Sequence, residues 1–225
     1  MQGPLFFLSH LPGFLGEYLA LTGERLNGAE MLATGLATHF SVSARINWIE
    51  ERLGSLVTDD PSVVKTALDE YSDVVIPDTK SFIRRVDSID SCFSKESIEE
   101  ILCALETEAA GENDEWYAKT IGKLKEASPL SLKISLRSIR ESRFQSLDQC
   151  LAREYRITCH ALSKRISGDF YEGIRARLID KDSSPKWNPP CLEQVSREMV
   201  DQYFLPLEED VQDLELPVKQ REAYI

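Results

Sequence analysis

Long apolar runs, paired cysteines and clustered histidines are all missing from this chain. No stretch approaches the roughly 18 apolar residues that cross a bilayer. The five cysteines (Cys92, Cys103, Cys150, Cys159 and Cys191) never form Cys-x-x-Cys, and His10, His39 and His160 are scattered. This excludes a zinc set of familiar spacing and argues against a disulfide framework, leaving reduced thiols, mostly in core positions, as the expectation. Bases are scarce too: 26 Lys+Arg against 38 Asp+Glu leave a net charge of -12 over 225 residues. A chain so acidic is not built mainly to grip phosphate backbones, although a local basic patch remains compatible with it. No basic stretch or cleavage-type pattern precedes Leu5-Phe6-Phe7-Leu8, and Ala223-Tyr224-Ile225 is not a peroxisomal address, so no targeting segment is visible. What the chain does have is 42% hydrophobic residues, enough for a substantial core in one domain or two small ones.

Helical spacing dominates. Pro12-Gly13 closes an opening cluster, residues 14–21 read as a short helix stopped by Thr22-Gly23, and residues 28–33 read as another ended by Gly35. Residues 36–40 are the only good strand candidate. After it, residues 43–57 place Ile46, Ile49, Leu53 and Leu56 on one face, and Asp60-Pro61 suits a capped helix start. Ser94 is expected to cap a helix carrying Ile98, Ile101, Leu102 and Leu105, and residues 113–127 continue the theme. Ser128-Pro129 opens a helix with the stripe Leu132, Leu136 and Ile139. The segment 146–163 shows Leu147, Leu151, Tyr155, Cys159 and Leu162 at helical spacing. Helices over 169–179 and 196–204 flank a Ser- and Pro-rich loop at 182–190. Glu208, Glu209, Asp210, Asp213 and Glu215 then form an acidic tail, expected to be solvated and loose.

Two sets of blocks carry a family likeness. The first is Gly16-Glu17-Tyr18-Leu19-Ala20-Leu21-Thr22-Gly23-Glu24-Arg25-Leu26, then Gly28-Ala29-Glu30-Met31 and Gly35-Leu36-Ala37-Thr38-His39-Phe40. The second runs from Ser128-Pro129-Leu130-Ser131-Leu132-Lys133-Ile134 through Glu154-Tyr155-Arg156 and Asp169-Phe170-Tyr171-Glu172-Gly173-Ile174-Arg175-Ala176. It ends with Asp180-Lys181-Asp182 and Ser184-Pro185-Lys186-Trp187. Together they resemble the crotonase (enoyl-CoA hydratase/isomerase) superfamily, in particular its 3-hydroxyisobutyryl-CoA hydrolase branch in plant-like form. The likeness covers about residues 7–204.

The resemblance implies a mostly α chain that is the C-terminal helical part of a crotonase-type α/β fold, with one short strand near 36–40. Residues 1–205 would be that part and 206–225 the tail. It further implies a mitochondrial thioester hydrolase of valine breakdown, without cofactor or metal. Such a site polarises the thioester carbonyl with two backbone N–H donors and uses a carboxylate of a Pro-Glu-Thr segment. The 225 residues hold neither Pro-Glu-Thr nor a glycine-rich loop. No catalytic residue is therefore assigned, and the chain alone is expected to be inactive. The partners implied are acyl-CoA and, through the helices, a second copy or another protein, with no membrane and no direct nucleic-acid contact. Similar members also occur as subunits of the small subunit of the plant mitochondrial ribosome, which gives a structural alternative. Pairing with intact hydrolase subunits is a third.

Candidate binding residues are Lys133, Arg137, Lys186 and Trp187. Lys133, Arg137 and Arg140 lie on one helix face with Arg143 beyond: a landing site for CoA phosphates or for an acidic partner or, as the plainer and preferred reading, a solvated face. The loop with Lys186 and Trp187 either covers an acyl-CoA tunnel, with Trp187 as wall, or is simply stapled down by that ring. Stapling is preferred. Cys159-His160 are helix neighbours about 100° apart, so they form no dyad. His39 reads as a hydrogen-bonded structural histidine, and the acid pairs at 50–51, 59–60 and 99–100 read as surface.

Overall fold

The computed structural model describes residues 4–111, 114–208 and 211–216. Among these there are twelve α-helices and no strand. In chain order they are α1 (Pro4–Ser9), α2 (Leu15–Thr22), α3 (Gly28–Ala33), α4 (Ile46–Gly54), α5 (Pro61–Asp69) and α6 (Val86–Phe93). Then come α7 (Ile98–Gly111), α8 (Glu115–Glu126), α9 (Pro129–Ser142), α10 (Leu147–Ser163), α11 (Asp169–Ile174) and α12 (Arg197–Gln202). The chain forms two compact units. One runs up to Glu24 and resumes at Asp87; the other is Arg25–Val86. Residues 1–205, expected as one part of a domain, thus hold both.

In the larger unit α2 packs on α9, and α1 packs on both. Gly16 permits this approach. A Cβ there would fall 2.1 Å from the Leu8 carbonyl oxygen and 3.1 Å from Ile139 Cδ1, so a larger residue would force the elements apart. Gly13 (φ +59) makes the turn before α2, and Asp90 Oδ1 accepts the Phe14 N–H at 2.8 Å. Gly23, left-handed at φ +60, ends α2 by donating to the Leu19 carbonyl. A second cluster joins α9, α10 and α12 through Leu130, Ile134, Val195, Val200 and Tyr203, with Ile157 and Ala161 packed against it.

The smaller unit is built differently. Asn27 and Glu30 form a capping box on α3, and the buried Glu30 accepts a 2.5 Å hydrogen bond from Ser81 Oγ. Asp60 caps α5 with Pro61 at its first turn, as expected. The expected apolar face of α4 buries little: Ile46 and Trp48 are exposed, while Ile49, Leu53 and Leu56 are half-buried.

Three expectations change. Residues 36–40 are not a strand, because no extended segment among the described residues pairs with them. Single ties hold them instead: Ala37 N–H to the Met31 carbonyl at 3.0 Å, Phe40 N–H to Ser72 Oγ at 3.3 Å, and Asp73 N–H to the Phe40 carbonyl at 2.7 Å. The start of α7 is capped by Ser97, whose Oγ accepts from Glu100 N–H at 3.2 Å, while Ser94 Oγ donates back to Ser91 at the end of α6. The buried face of α10 is rotated by one position. Cys150, Arg153 and Glu154 are buried, whereas Leu147 and Leu162 are exposed.

Asn113, Glu209 and Asp210 lie outside the described residues. The described tail is tied to α10 and the turn after it: Asp213 Oδ2 accepts from Arg156 Nε at 2.6 Å, Tyr155 Oη donates to the Gln212 carbonyl, and Glu208 pairs with Arg165 just past the helix. Among the described residues no helix is long and apolar enough to cross a membrane.

Candidate functional site

A cavity of about 630 Å³ opens between α9, α10 and α11, a size typical of small-molecule sites. Leu130 and Ile134 of α9, Ile157 and Ala161 of α10, Phe170 of α11 and Trp187 supply much of its apolar wall. The sequence places these side chains by local rules. Ser128 starts α9 by accepting the Ser131 N–H, and its own hydroxyl donates to buried Asp169 Oδ2 at 2.6 Å. Asp169 Oδ1 accepts the Asn188 N–H at 2.9 Å, which anchors the chain just after Trp187. Trp187 itself donates from Nε1 to the Glu126 carbonyl at 3.0 Å and lies over Gly173, where a Cβ would come within 3.3 Å of the ring. The ring therefore pins its loop and also lines the cavity.

The wall also carries polar groups. Glu154, 3% exposed, and Thr158 face it from α10, and Ser131, Ser135 and Ser138 face it from α9. Behind Ser138 lies Arg153, 7% exposed, donating to the Ser138 carbonyl at 2.9 Å and to Ser138 Oγ at 3.2 Å, and also to Ser142 Oγ and Gln145 Oε1. Tyr203 closes one side. Burial, with Asp169 nearby, pushes its phenol up to about 12, so it stays neutral.

Sequence reasoning missed Arg153 and Glu154. The pattern Cys150, Arg153, Glu154, Ile157 and Ala161 has helical spacing, but two ionisable residues at its centre hid it beneath the more apolar neighbouring stripe.

The loop that carries Lys186 is organised by Arg175. This guanidinium binds Glu172 through two nitrogens at 2.8 and 2.9 Å, and reaches Asp180 at 2.7 Å and Asp182 at 2.6 Å. Arg175 and the Lys186 N–H, which donates to Glu172 Oε1 at 2.7 Å, hold the Glu172 carboxyl down to about 2. Arg175–Ile179 is a π-helical turn, closed by the Asp180 N–H on the Arg175 carbonyl at 2.8 Å.

The structure does not bring the four candidate residues together. Trp187 lines the cavity and Lys186 is its chain neighbour, outside the lining, whereas Lys133 and Arg137 line a different groove on another face of α9. There Lys133 Nζ meets Glu99 at 2.8 Å, and Arg137 meets Glu141 at 2.7 Å and Asp201 at 2.5 Å. Arg140 donates to the carbonyls of Phe93, Lys95 and Glu96. Arg143 binds the fully buried Glu17 at 2.8 Å, whose pKa is raised by burial against the pull of that arginine. The basic row is thus a set of internal ties. His39 lies between Thr38 Oγ1 at 2.8 Å and Asp69 Oδ1 at 3.0 Å, and His160 Nε2 contacts the Leu205 carbonyl, away from Cys159. Of the five thiols only Cys92 and Cys150 are buried. No cluster of His, Cys, Asp or Glu among the described residues has the makings of a metal site.

Residues 2–204 match the enoyl-CoA hydratase/isomerase family. The chain belongs to that family. It is 56% identical over 225 residues to the small ribosomal subunit protein mS47 of Arabidopsis thaliana, covering 99% of this chain and 55% of that protein. It is equally 56% identical over 221 residues to the mitochondrial 3-hydroxyisobutyryl-CoA hydrolase-like protein 1 of the same plant, covering 98% of this chain and 55% of the relative. The 3-hydroxyisobutyryl-CoA hydrolase 1 of that plant shares 53% over 215 residues, covering 96% and 57%. The chain therefore spans little more than half the length of these relatives. Among solved structures, a carnitinyl-CoA dehydratase from Mycobacterium thermoresistibile superposes with a TM-score of 0.76 at 29% identity, over 92% of this chain and 56% of that one. The helical arrangement is that of a part of the crotonase fold.

Proposed function

We propose that this chain is the helical part of a crotonase-type protein acting on short acyl-CoA thioesters, with 3-hydroxyisobutyryl-CoA as substrate in mitochondrial valine breakdown. The observation that carries the reading is 53–56% identity, over nearly the whole chain, to plant proteins named as that hydrolase or as hydrolase-like. The helices shape and cover the substrate, with Trp187 as a rigid wall and Lys186 beside it for a CoA phosphate. Lys133 and Arg137 form a second, weaker anion site, because a phosphate there has to displace Glu99, Glu141 or Asp201. Thioester hydrolysis needs aimed donors for the carbonyl oxygen and a carboxylate to manage the water. With no Pro-Glu-Thr among the 225 residues, the chain alone leaves the thioester intact. Release of CoA from 3-hydroxyisobutyryl-CoA by the purified chain tests this. The expected rate is that of buffer, and clear turnover overturns it. Binding of the same thioester, weakened by Lys186→Glu, tests the covering role separately.

A structural role is the second reading, favoured by equal identity to a protein named as a small ribosomal subunit component. A net charge of -12 suits docking on proteins better than on RNA. Co-sedimentation with mitochondrial small ribosomal subunits supports this role; its absence, with thioester binding present, leaves the enzyme reading.

A further inference from the structure

One basic stretch is left over by the cavity and by the matched row of α9. From Tyr155 to Gly168 the chain carries Arg156, His160, Lys164 and Arg165 and no Asp or Glu, in a protein of net charge -12. Among the described residues, Arg156 and Arg165 form ion pairs only with the acidic segment after α12: Arg156 with Asp213, and Arg165 with Glu208. Two nitrogens of Arg156 reach the same Asp213 oxygen, and this arginine holds the Asp213 carboxyl below its ordinary range. The backbone of the segment is gripped as well. Tyr155 Oη donates to the Gln212 carbonyl at 3.3 Å, and His160 Nε2 meets the Leu205 carbonyl at 3.1 Å. The segment therefore touches α10 at His160 and runs on to Arg165. It turns where the Val211 N–H donates to the Glu208 carbonyl at 2.9 Å, and comes back to Tyr155 and Arg156. Acidic side chains and main-chain carbonyls of a non-helical peptide are thus bound together. None of Tyr155, Arg156, His160 and Arg165 lines the cavity.

We propose that Tyr155, Arg156, His160 and Arg165 form a docking surface for an acidic, non-helical segment of another protein, and that residues 205–213 occupy it in the free chain as a built-in competitor. Charge complementarity selects the occupant, since residues 206–216 hold five acids and no base while the basic stretch offers no acid of its own. The carbonyl contacts favour a peptide over a nucleic acid, whose backbone has no amide carbonyls. Exposed ion pairs are individually weak. The chain's own segment keeps them because it is tethered, at an effective concentration on the order of millimolar. A partner segment with the same spacing of acids and a few added contacts displaces it. The surface is independent of the hydrolase reading, since it needs neither thioester nor cavity.

Fluorescence anisotropy of a labelled peptide of residues 206–216, added to the full 225-residue protein, tests it. Glu208→Gln with Asp213→Asn frees the surface. This variant is expected to bind the peptide at least tenfold more tightly than the unaltered protein, whose own segment competes. Adding Arg156→Gln and Arg165→Gln to it is expected to weaken the peptide about tenfold, with unchanged circular dichroism. The same peptide with its five acids replaced by their amides is expected not to bind. Equal binding by the unaltered protein and the Glu208→Gln/Asp213→Asn variant, or no saturable binding by either, overturns the proposal. So does binding that survives loss of the two arginines. A single-stranded oligonucleotide of equal charge that binds as tightly as the peptide also overturns it, and assigns the surface to polyanions in general. A concentration-dependent dimer of the unaltered protein that the arginine changes abolish overturns it too, making a second copy the occupant.

Discussion

The two units contrast in what holds them. Around α2 and α9 the chain buries Leu15, Tyr18, Leu19, Leu136 and Ile139 almost completely, with Gly16 letting the elements meet. In Arg25–Val86 the buried apolar residues are Ala67 and Phe82, and Val57, Val74 and Ile76 stand in solvent. There the ties are polar: Ser81 to Glu30 at 2.5 Å, Arg45 to Asp73 at 2.7 Å, and the capped starts of α3 and α5. The lesson is that apolar spacing on a helix does not by itself make a core. The Ile46, Ile49, Leu53 and Leu56 pattern is as regular as that of α9, yet little is buried against it. A unit held by hydrogen bonds and few apolar contacts is the one that opens first.

The largest effect that tests this contrast is an apolar truncation in each unit. Ile139→Ala is expected to cost about 3 kcal/mol in urea unfolding, with transfer and cavity terms adding, whereas Leu53→Ala costs under about 1 kcal/mol. Equal costs would break the comparison.

Next comes Arg143→Ala, which leaves the buried Glu17 with only Arg140, 3.8 Å away, and is expected to cost about 2 kcal/mol near neutral pH. Burial raises the Glu17 pKa above its ordinary 4.5, so the folded state holds the proton more tightly than the unfolded chain. The stability linked to that proton is complete below 4.5 and is lost as the pH climbs through the raised value. The cost of Arg143→Ala should therefore shrink toward pH 4, where Glu17 is protonated in either protein. A cost that does not vary with pH contradicts the pairing.

Ser81→Ala, in the other unit, removes the donor to buried Glu30 and is expected to cost about 2 kcal/mol. Hydrogen exchange should locate the loss in residues 25–86, and protection unchanged there would show that the polar tie is idle. The smallest effect is expected at the fully exposed Val57. Val57→Ser should change unfolding by less than about 0.5 kcal/mol despite deleting an apolar side chain.

Much of this was legible in the sequence. Gly23 after α2, Asp60-Pro61 before α5 and Ser128-Pro129 before α9 mark helix ends through φ freedom, capping oxygens and a ring-fixed φ, all local effects. The family blocks led to the fold of the relatives. Trp187 was marked from its loop, and it does line the cavity. Arg153 and Glu154 were not marked, because a buried ion-bearing face looks solvated when only spacing is read.

The sequence by itself marked the helix ends that carry a local signal, at Gly23, Asp60-Pro61 and Ser128-Pro129, and the family that supplies the fold, because caps, glycines and prolines act within a few residues. The tertiary structure alone decided which face of each helix is buried. It alone paired the partly exposed basic row of α9 with Glu99, Asp201 and Glu17. Those outcomes depend on residues 30 to 130 positions apart meeting in space, and a charge is free or matched only once its neighbours are in place.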